Sequence, residues 1–275
     1  MTRLTSVDVE SIPSSIKSYD MMLRKKIGVN ICKVAAHAAG FMGDPAIAFD
    51  GLKAKAVPMT SGKGIIDGFA QAVASILNHI GLETKVASKK DVGGIAEAFK
   101  DGVSMIFTAD DESFVGLSLR NSKVSYNYDA TGRSYAAALE MKIHGLAGKR
   151  ISLVGVGRVG NAAAEYMCRK GTEIFAYDLL GEKVDALTKR LPLSHKCASV
   201  EECIVKGDHV VLTAPGNNFI TARMIKEEAV FAAPAIPLGL TKAALRRLGD
   251  DRLVHDTLAL GVATMAFDLV RRDYG

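Results

Sequence analysis

The sequence predicts an α/β protein in which an N-terminal α/β domain precedes a doubly wound parallel sheet. Three observations predict it. From Arg150 onward, short apolar, β-branched runs alternate with helical segments. A glycine turn, Gly155-Val156-Gly157-Arg158-Val159-Gly160, directly follows the first of those strands. Finally, 26 glycines stand against seven prolines, the usage of a fold with many tight strand-to-helix turns.

Taken in chain order, Asp8–Ser18 and Tyr19–Ala39 read as helices and Ile47–Met59 as extended chain. Ile65–Ile80 has the apolar spacing of an amphipathic helix. The strands 83–87 and 103–109 flank a helix near Val92–Phe99, and Phe114–Leu119 with Lys123–Tyr126 reads as a hairpin. A long helix, about Thr131–His144, leads into GLAGKR, whose two glycines and two basic residues mark the domain boundary, so the domains are 1–145 and 146–275. The second domain reads strand 151–157, helix Arg158–Lys170, strand 172–178, helices near Glu182–Leu191 and Val200–Val205, and strand 209–215. Then come extended 230–236, a helix near Thr241–Leu248, extended 252–258 and a closing helix from about Val262 to Arg272. Whether that helix returns to pack on the first domain is open at this level.

Composition narrows the functional classes. The 275 residues are 48% apolar, ample for buried cores, which excludes a disordered chain. The 35 Lys and Arg against 30 Asp and Glu divide evenly: 17 basic and 15 acidic residues through Gly145, then 18 and 15. Neither half is a polyelectrolyte, which argues against nucleic acid or an anionic membrane as the partner. The N-terminus has no apolar signal core, and Met21–Gly40 is interrupted by Arg24, Lys25, Lys26 and Lys33, short of the roughly 20 apolar residues a bilayer needs. Cys32, Cys168, Cys197 and Cys203 have no framework spacing, so a reduced, cytoplasmic protein is expected. A homodimer is the expected assembly, and no metal is expected. His195, Cys197, Cys203 and His209 match no zinc-ligand spacing.

The glycine turn carries the sharpest chemistry. Gly155 makes the tight turn, Gly157 lets the backbone approach a pyrophosphate, and Gly160 lets helix and strand pack closely, with Arg158 and Val159 opening the helix. The phosphate then meets unpaired N–H groups at the positive helix end. Asp178, eighteen residues past Gly160 at the end of the next strand, is placed to accept the adenosine ribose hydroxyls and repel a 2′-phosphate. The domain therefore reads as a Rossmann domain binding NAD rather than NADP. Thr213-Ala214-Pro215 ends a later strand at the edge where ligands of open sheets sit and is expected to flank the ribose and nicotinamide; an ordinary Pro-Gly turn competes with that reading.

In the first domain the signals are weaker. Thr60-Ser61-Gly62-Lys63-Gly64 is not a phosphate loop, because Val57 and Gly64 stand where Gly and Ser/Thr are required. Ser61 either faces a ligand or caps a helix beginning near Ile65. Asp110-Asp111-Glu112 ends a strand; one of these carboxylates can bind a cationic amine or transfer a proton, against the alternative of a solvated acidic turn. Asp129 reads first as a helix cap.

Several stretches carry a resemblance. FTADDESFVGLSLRNSKVSYN, ATGRSYAAALE, the Gly-Arg-Val-Gly form of the dinucleotide turn and HDTLALGVATMAFD resemble the pyrrolysine-biosynthesis dehydrogenases, and MTRLT and PMTSGKG fit as well. Those enzymes are similar to shikimate and methylenetetrahydrofolate dehydrogenases. The resemblance implies NAD-dependent oxidation of the terminal amine of 3-methylornithyl-lysine, a small-molecule substrate, to an aldehyde that closes a pyrroline ring. It also implies that Leu4, Ser61 and Asp110 contact substrate, with Ser61 and Asp110 orienting the amine or a water. Two rivals remain. One is a shikimate- or methylenetetrahydrofolate-type dehydrogenase, the shikimate type needing a Lys-Asp pair that Lys63 with Asp110 could mimic; the other is a sensor that binds NAD without turnover.

Overall fold

Parallel pairing dominates the larger sheets of the computed structural model, which describes residues 4–271. These residues divide into two compact units. The first holds 4–25, Val29–Ala130 and 257–271; the second holds Lys26–Gly28 and Thr131–Asp256. The expected fold class, an α/β domain and a doubly wound sheet, is the one observed.

The first unit begins with α1 (Ser6–Val9), α2 (Ile12–Ile27) and α3 (Ile31–Ala39). The sequence pattern runs on from Tyr19 to Ala39, but Gly28 at φ +80° stops α2 and Asn30 starts a new helix by accepting the Lys33 N–H at 2.9 Å. Then follow β1 (Lys53–Pro58), α4 (Phe69–His79), β2 (Glu83–Val86), α5 (Asp91–Lys100), β3 (Met105–Ala109), β4 (Phe114–Ser118) and β5 (Val124–Tyr126); α6 (Asn127–Lys142) starts here and from Thr131 belongs to the second unit. The sheet order is β2-β1-β3-β4-β5, with β1 parallel to both neighbours and the β4–β5 hairpin antiparallel, as expected. Two elements differ from the sequence pattern. α4 starts four residues late because Gly64 and Gly68 take positive φ, so the apolar pair Ile65-Ile66 sits in a turn. α6 starts at Asn127, which puts Asp129 inside its first turn rather than at the cap.

The second unit continues with β6 (Arg150–Val154), α7 (Arg158–Arg169), β7 (Glu173–Tyr177), α8 (Gly181–Arg190), β8 (Ser194–Lys196), α9 (Val200–Lys206) and β9 (His209–Leu212). β10 (Gly216–Ile220), β11 (Phe231–Ala232), β12 (Leu238–Leu240), α10 (Lys242–Leu248) and β13 (Leu253–Val254) complete it, and α11 (Ala259–Val270) closes the described chain. The parallel sheet runs β13-β11-β9-β6-β7-β8, so the strand order reverses between β6 and β9. Ligands of such sheets sit outside the carboxyl ends of the strands at this reversal. Val154, Leu212 and Phe231 of this sheet and Ile220 of β10 belong to one buried apolar cluster.

α11 belongs to the first unit. Ten of its twelve residues are buried, and its Phe267 ring lies 5.3 Å from that of Phe41 and 4.8 Å from that of Phe49. A helix apolar on every side needs neighbours on every side, and it finds them in α3, α4, β4 and β5.

Candidate active site

In the second unit the glycine turn leaves β6 and enters α7. Gly155 sits at φ +98°, and a Cβ there would stand 2.5 Å from the Ala214 nitrogen. A Cβ on Gly160 would stand 2.1 Å from the Gly155 oxygen. Gly157 differs: nothing lies within 4 Å of the place its Cβ would take, and α7 begins there without a side-chain cap. Two of these glycines serve the protein's own packing and the third leaves an open approach to uncapped N–H groups, the cradle an anionic pyrophosphate needs. Arg158 is exposed and Val159 half-buried on the first turn.

Thr213 and Ala214 close the other side of the turn. Both donate their N–H to the Val154 carbonyl, and the Thr213 hydroxyl donates to the Gly155 carbonyl at 2.8 Å. Pro215 follows, exposed at the carboxyl end of β9. Asp178 comes just after β7; its Oδ2 accepts the Val156 N–H at 2.7 Å and its Oδ1 accepts the Leu180 N–H at 2.9 Å. A carboxylate has about four lone-pair positions, so acceptors remain for ribose hydroxyls. These residues fit a dinucleotide: Gly157 and the α7 amides for the pyrophosphate, Asp178 for the adenosine ribose, Thr213–Pro215 beyond.

In the first unit, Ser61 and Asp110 stand at the carboxyl ends of neighbouring parallel strands, since Pro58 and Ala109 are register partners at the ends of β1 and β3. Both are exposed. Asp110 is fixed by an Asx turn: its Oδ1 accepts the N–H groups of Glu112 and Ser113 at 2.9 and 2.8 Å, and its own N–H donates to the Ser113 carbonyl. Oδ2 makes no hydrogen bond among the described residues. Ser61 does not cap α4, whose N-cap is Gly68; it lies in the turn that links β1 to that helix. Leu4 is half-buried one residue before Thr5, which forms a capping box with Asp8 at the start of α1. The fully buried Val9 of α1 lies against Gly68, so α1 abuts the helix that follows the Ser61 turn.

The residues passed over by sequence reasoning are those whose partners are remote. Gly132 on α6 would, with a Cβ, meet the Val159 oxygen at 2.3 Å, so it lets α6 press on the first turn of α7. Its signal was available: a glycine inside a helix costs about 1 kcal/mol against alanine and asks for a packing reason. Asp91 and Thr60, hydrogen-bonded to each other, had no such signal. His195 lies on β8 beside Glu173 and Cys203 is in α9; among the described residues no three His, Cys, Asp or Glu gather as metal ligands. The four cysteines are free, and no helix among the described residues is long and apolar enough to cross a membrane.

Comparison with known proteins bears on both halves. A family described as the N-terminal domain of the pyrrolysine biosynthesis protein PylD matches residues 8–125. Pyrrolysine synthase of Methanosarcina acetivorans is 28% identical over 278 residues, covering 98% of this chain and 100% of the relative. The pyrrolysine synthase of Methanosarcina barkeri is 26% identical over 271 residues, covering 98% of each. Over nearly its whole length the chain is similar to the pyrrolysine synthases, and its first part to the PylD N-terminal domain. Residues 116–234 also match the NAD-binding domain of the D-isomer specific 2-hydroxyacid dehydrogenases. A solved shikimate dehydrogenase from Aquifex aeolicus has the same fold, with a TM-score of 0.54 at 18% identity over 79% of this chain and 92% of that one. The chain is accordingly a nicotinamide-dependent oxidoreductase.

Proposed function

We propose that the chain uses NAD to oxidise the terminal primary amine of 3-methylornithyl-lysine, the last step of pyrrolysine biosynthesis. The observation that carries this reading is that Asp110 and the Ser61 turn follow the paired ends of β3 and β1, with Asp110 Oδ2 making no hydrogen bond among the described residues. An aliphatic amine is an ammonium at neutral pH and must shed a proton before its carbon can release hydride. Asp110 binds that ammonium and takes or relays the proton through water. Ser61 offers a hydroxyl to the amine or to that water. Leu4, with the N-terminal helix, supplies apolar cover that excludes bulk solvent while the carbon is oxidised.

A bound nicotinamide supplies the hydride acceptor. The remainder is substrate chemistry: loss of hydride and proton leaves an imine, water hydrolyses it to an aldehyde and ammonia, and the aldehyde condenses with the remaining amine, losing water, to close the pyrroline. NAD is favoured over NADP because a 2′-phosphate would meet the Asp178 carboxylate.

The experiment is to incubate the purified chain with NAD and 3-methylornithyl-lysine, following NADH absorbance and the product's mass. Pyrrolysine should form, and Asp110→Ala should lower kcat/KM by about 100-fold or more. Turnover of shikimate without turnover of the amine would overturn the reading.

A further inference from the structure

The turn that carries Ser61 is gripped from both sides by carboxylates. On one side Asp91, the first residue of α5, accepts the Thr60 N–H at 2.7 Å with one oxygen and the Thr60 hydroxyl at 2.6 Å with the other. On the other side Asp111 Oδ2 accepts the Lys63 N–H at 2.6 Å. Only Ser61 and Gly62 lie between these anchors.

Both anchors carry a cost. Asp91 holds φ +52°, a region that side-chain-bearing residues rarely adopt. Gly62 sits at φ +67°, and a Cβ there would stand 2.2 Å from Asp111 Oδ2, so the close grip on that side admits glycine alone. A short exposed turn needs neither two carboxylate anchors nor an unfavourable backbone position in order to close. Strain of this kind persists where the surroundings over-determine a conformation, and it concentrates at ligand clamps. The two Thr60 bonds also hold the Asp91 carboxyl below the usual carboxylate range, so this grip is charge-assisted.

We infer that Asp91 and Asp111 are positioning residues for the amine substrate, fixing the Thr60–Lys63 turn so that Ser61 meets that substrate in one conformation. This rests on the amine-oxidation reading above. Both act through the turn, not on the reacting atoms. The two anchors are separable from Asp110, whose own loop is closed by the Glu112 and Ser113 amides. Releasing either anchor makes substrate binding pay the ordering entropy that the free protein has already met.

Asp91→Gly is the decisive variant, because glycine takes φ +52° without strain and lacks the carboxylate. Asp91→Asn keeps an oxygen for the Thr60 N–H and tolerates the same backbone. The full chain would be assayed for KM and kcat with 3-methylornithyl-lysine, for NAD affinity, for melting temperature, and for amide hydrogen exchange at Thr60 and Lys63. Asp91→Gly and Asp111→Ala should raise KM for the amine about tenfold or more. Exchange should quicken at Thr60 and Lys63 respectively, NAD affinity and melting temperature should hold, and Asp91→Asn should recover most of the lost KM. Faster exchange with an unchanged KM overturns the positioning role; unchanged exchange overturns the clamp itself. If the wild-type chain does not oxidise this substrate, the reading of the reaction fails, and the exchange rates still decide the clamp.

Discussion

Asp178 reaches back from the end of β7 to accept the Val156 N–H at 2.7 Å, so one carboxylate braces the glycine turn and, in the function proposed above, also meets the adenosine ribose. It therefore has two separable effects. Asp178→Ala removes both the brace and the charge that opposes a 2′-phosphate, so affinity for NAD should fall while turnover with NADP rises. The ratio of kcat/KM values, NAD over NADP, should drop about tenfold or more, equivalent to ~1.4 kcal/mol. Initial rates with each cofactor check it, and an unchanged ratio refutes it.

The three glycines of the turn should respond differently to alanine. Gly160→Ala drives a Cβ to 2.1 Å from the Gly155 oxygen, and Gly155→Ala combines φ +98° with a contact at 2.5 Å. Each should destabilise the second unit by about 2 kcal/mol or more. Gly157→Ala meets open space at an ordinary φ of −78° and should leave stability within about 0.5 kcal/mol. It should nevertheless weaken NADH binding, measured by fluorescence titration. Wild-type affinity in Gly157→Ala would mean that the pyrophosphate does not rest there.

What the sequence disclosed follows from how local each signal is. The strand, turn and helix around Gly155–Gly160 were legible because the steric reasons for the glycines lie within the motif and the next strand ends. Where a feature depends on remote partners, it was not. Lys55 shows the limit: in β1 it is buried, against the alternation that would turn a lysine outward, because Glu97 and Asp101 on and after α5 receive it. The break between α2 and α3 and the late start of α4 turn on the conformations of Gly28 and Gly68, which apolar periodicity does not see. For the candidate site, the ends of β1 and β3 were legible as strand ends, but the grip of Asp91 on Thr60 joins residues 31 apart and had no local mark.

Acid should loosen the first unit through Glu97. Hydrogen bonds from Lys55 and then Ser88 lower its carboxyl from the ordinary 4.5 to about 2. Because the folded value lies below the unfolded one, the stabilisation is complete above about pH 4.5 and is lost as pH falls toward 2. Melting temperatures between pH 6 and pH 2 should show the wild type losing more than Glu97→Gln, which begins lower because it leaves the Lys55 ammonium short of a partner. Parallel acid curves for the two proteins would refute the assignment.

Thr264 marks a place where the fold can be improved. It is fully buried in the middle of α11, and among the described residues its hydroxyl has no hydrogen-bond partner. An unmatched buried hydroxyl forfeits its bond to water on folding, a cost of about 1–3 kcal/mol. Valine has nearly the same shape and a similar helix propensity, so Thr264→Val removes that cost without opening a cavity. The melting temperature of the first unit should rise by about 2–4 °C. The companion orphan, the Thr221 hydroxyl, lies in the second unit and serves as a control, since Thr221→Val should leave the first unit's transition where it is. A lower melting temperature in Thr264→Val would mean that the hydroxyl finds a partner in solution, and the gain would be absent for that reason.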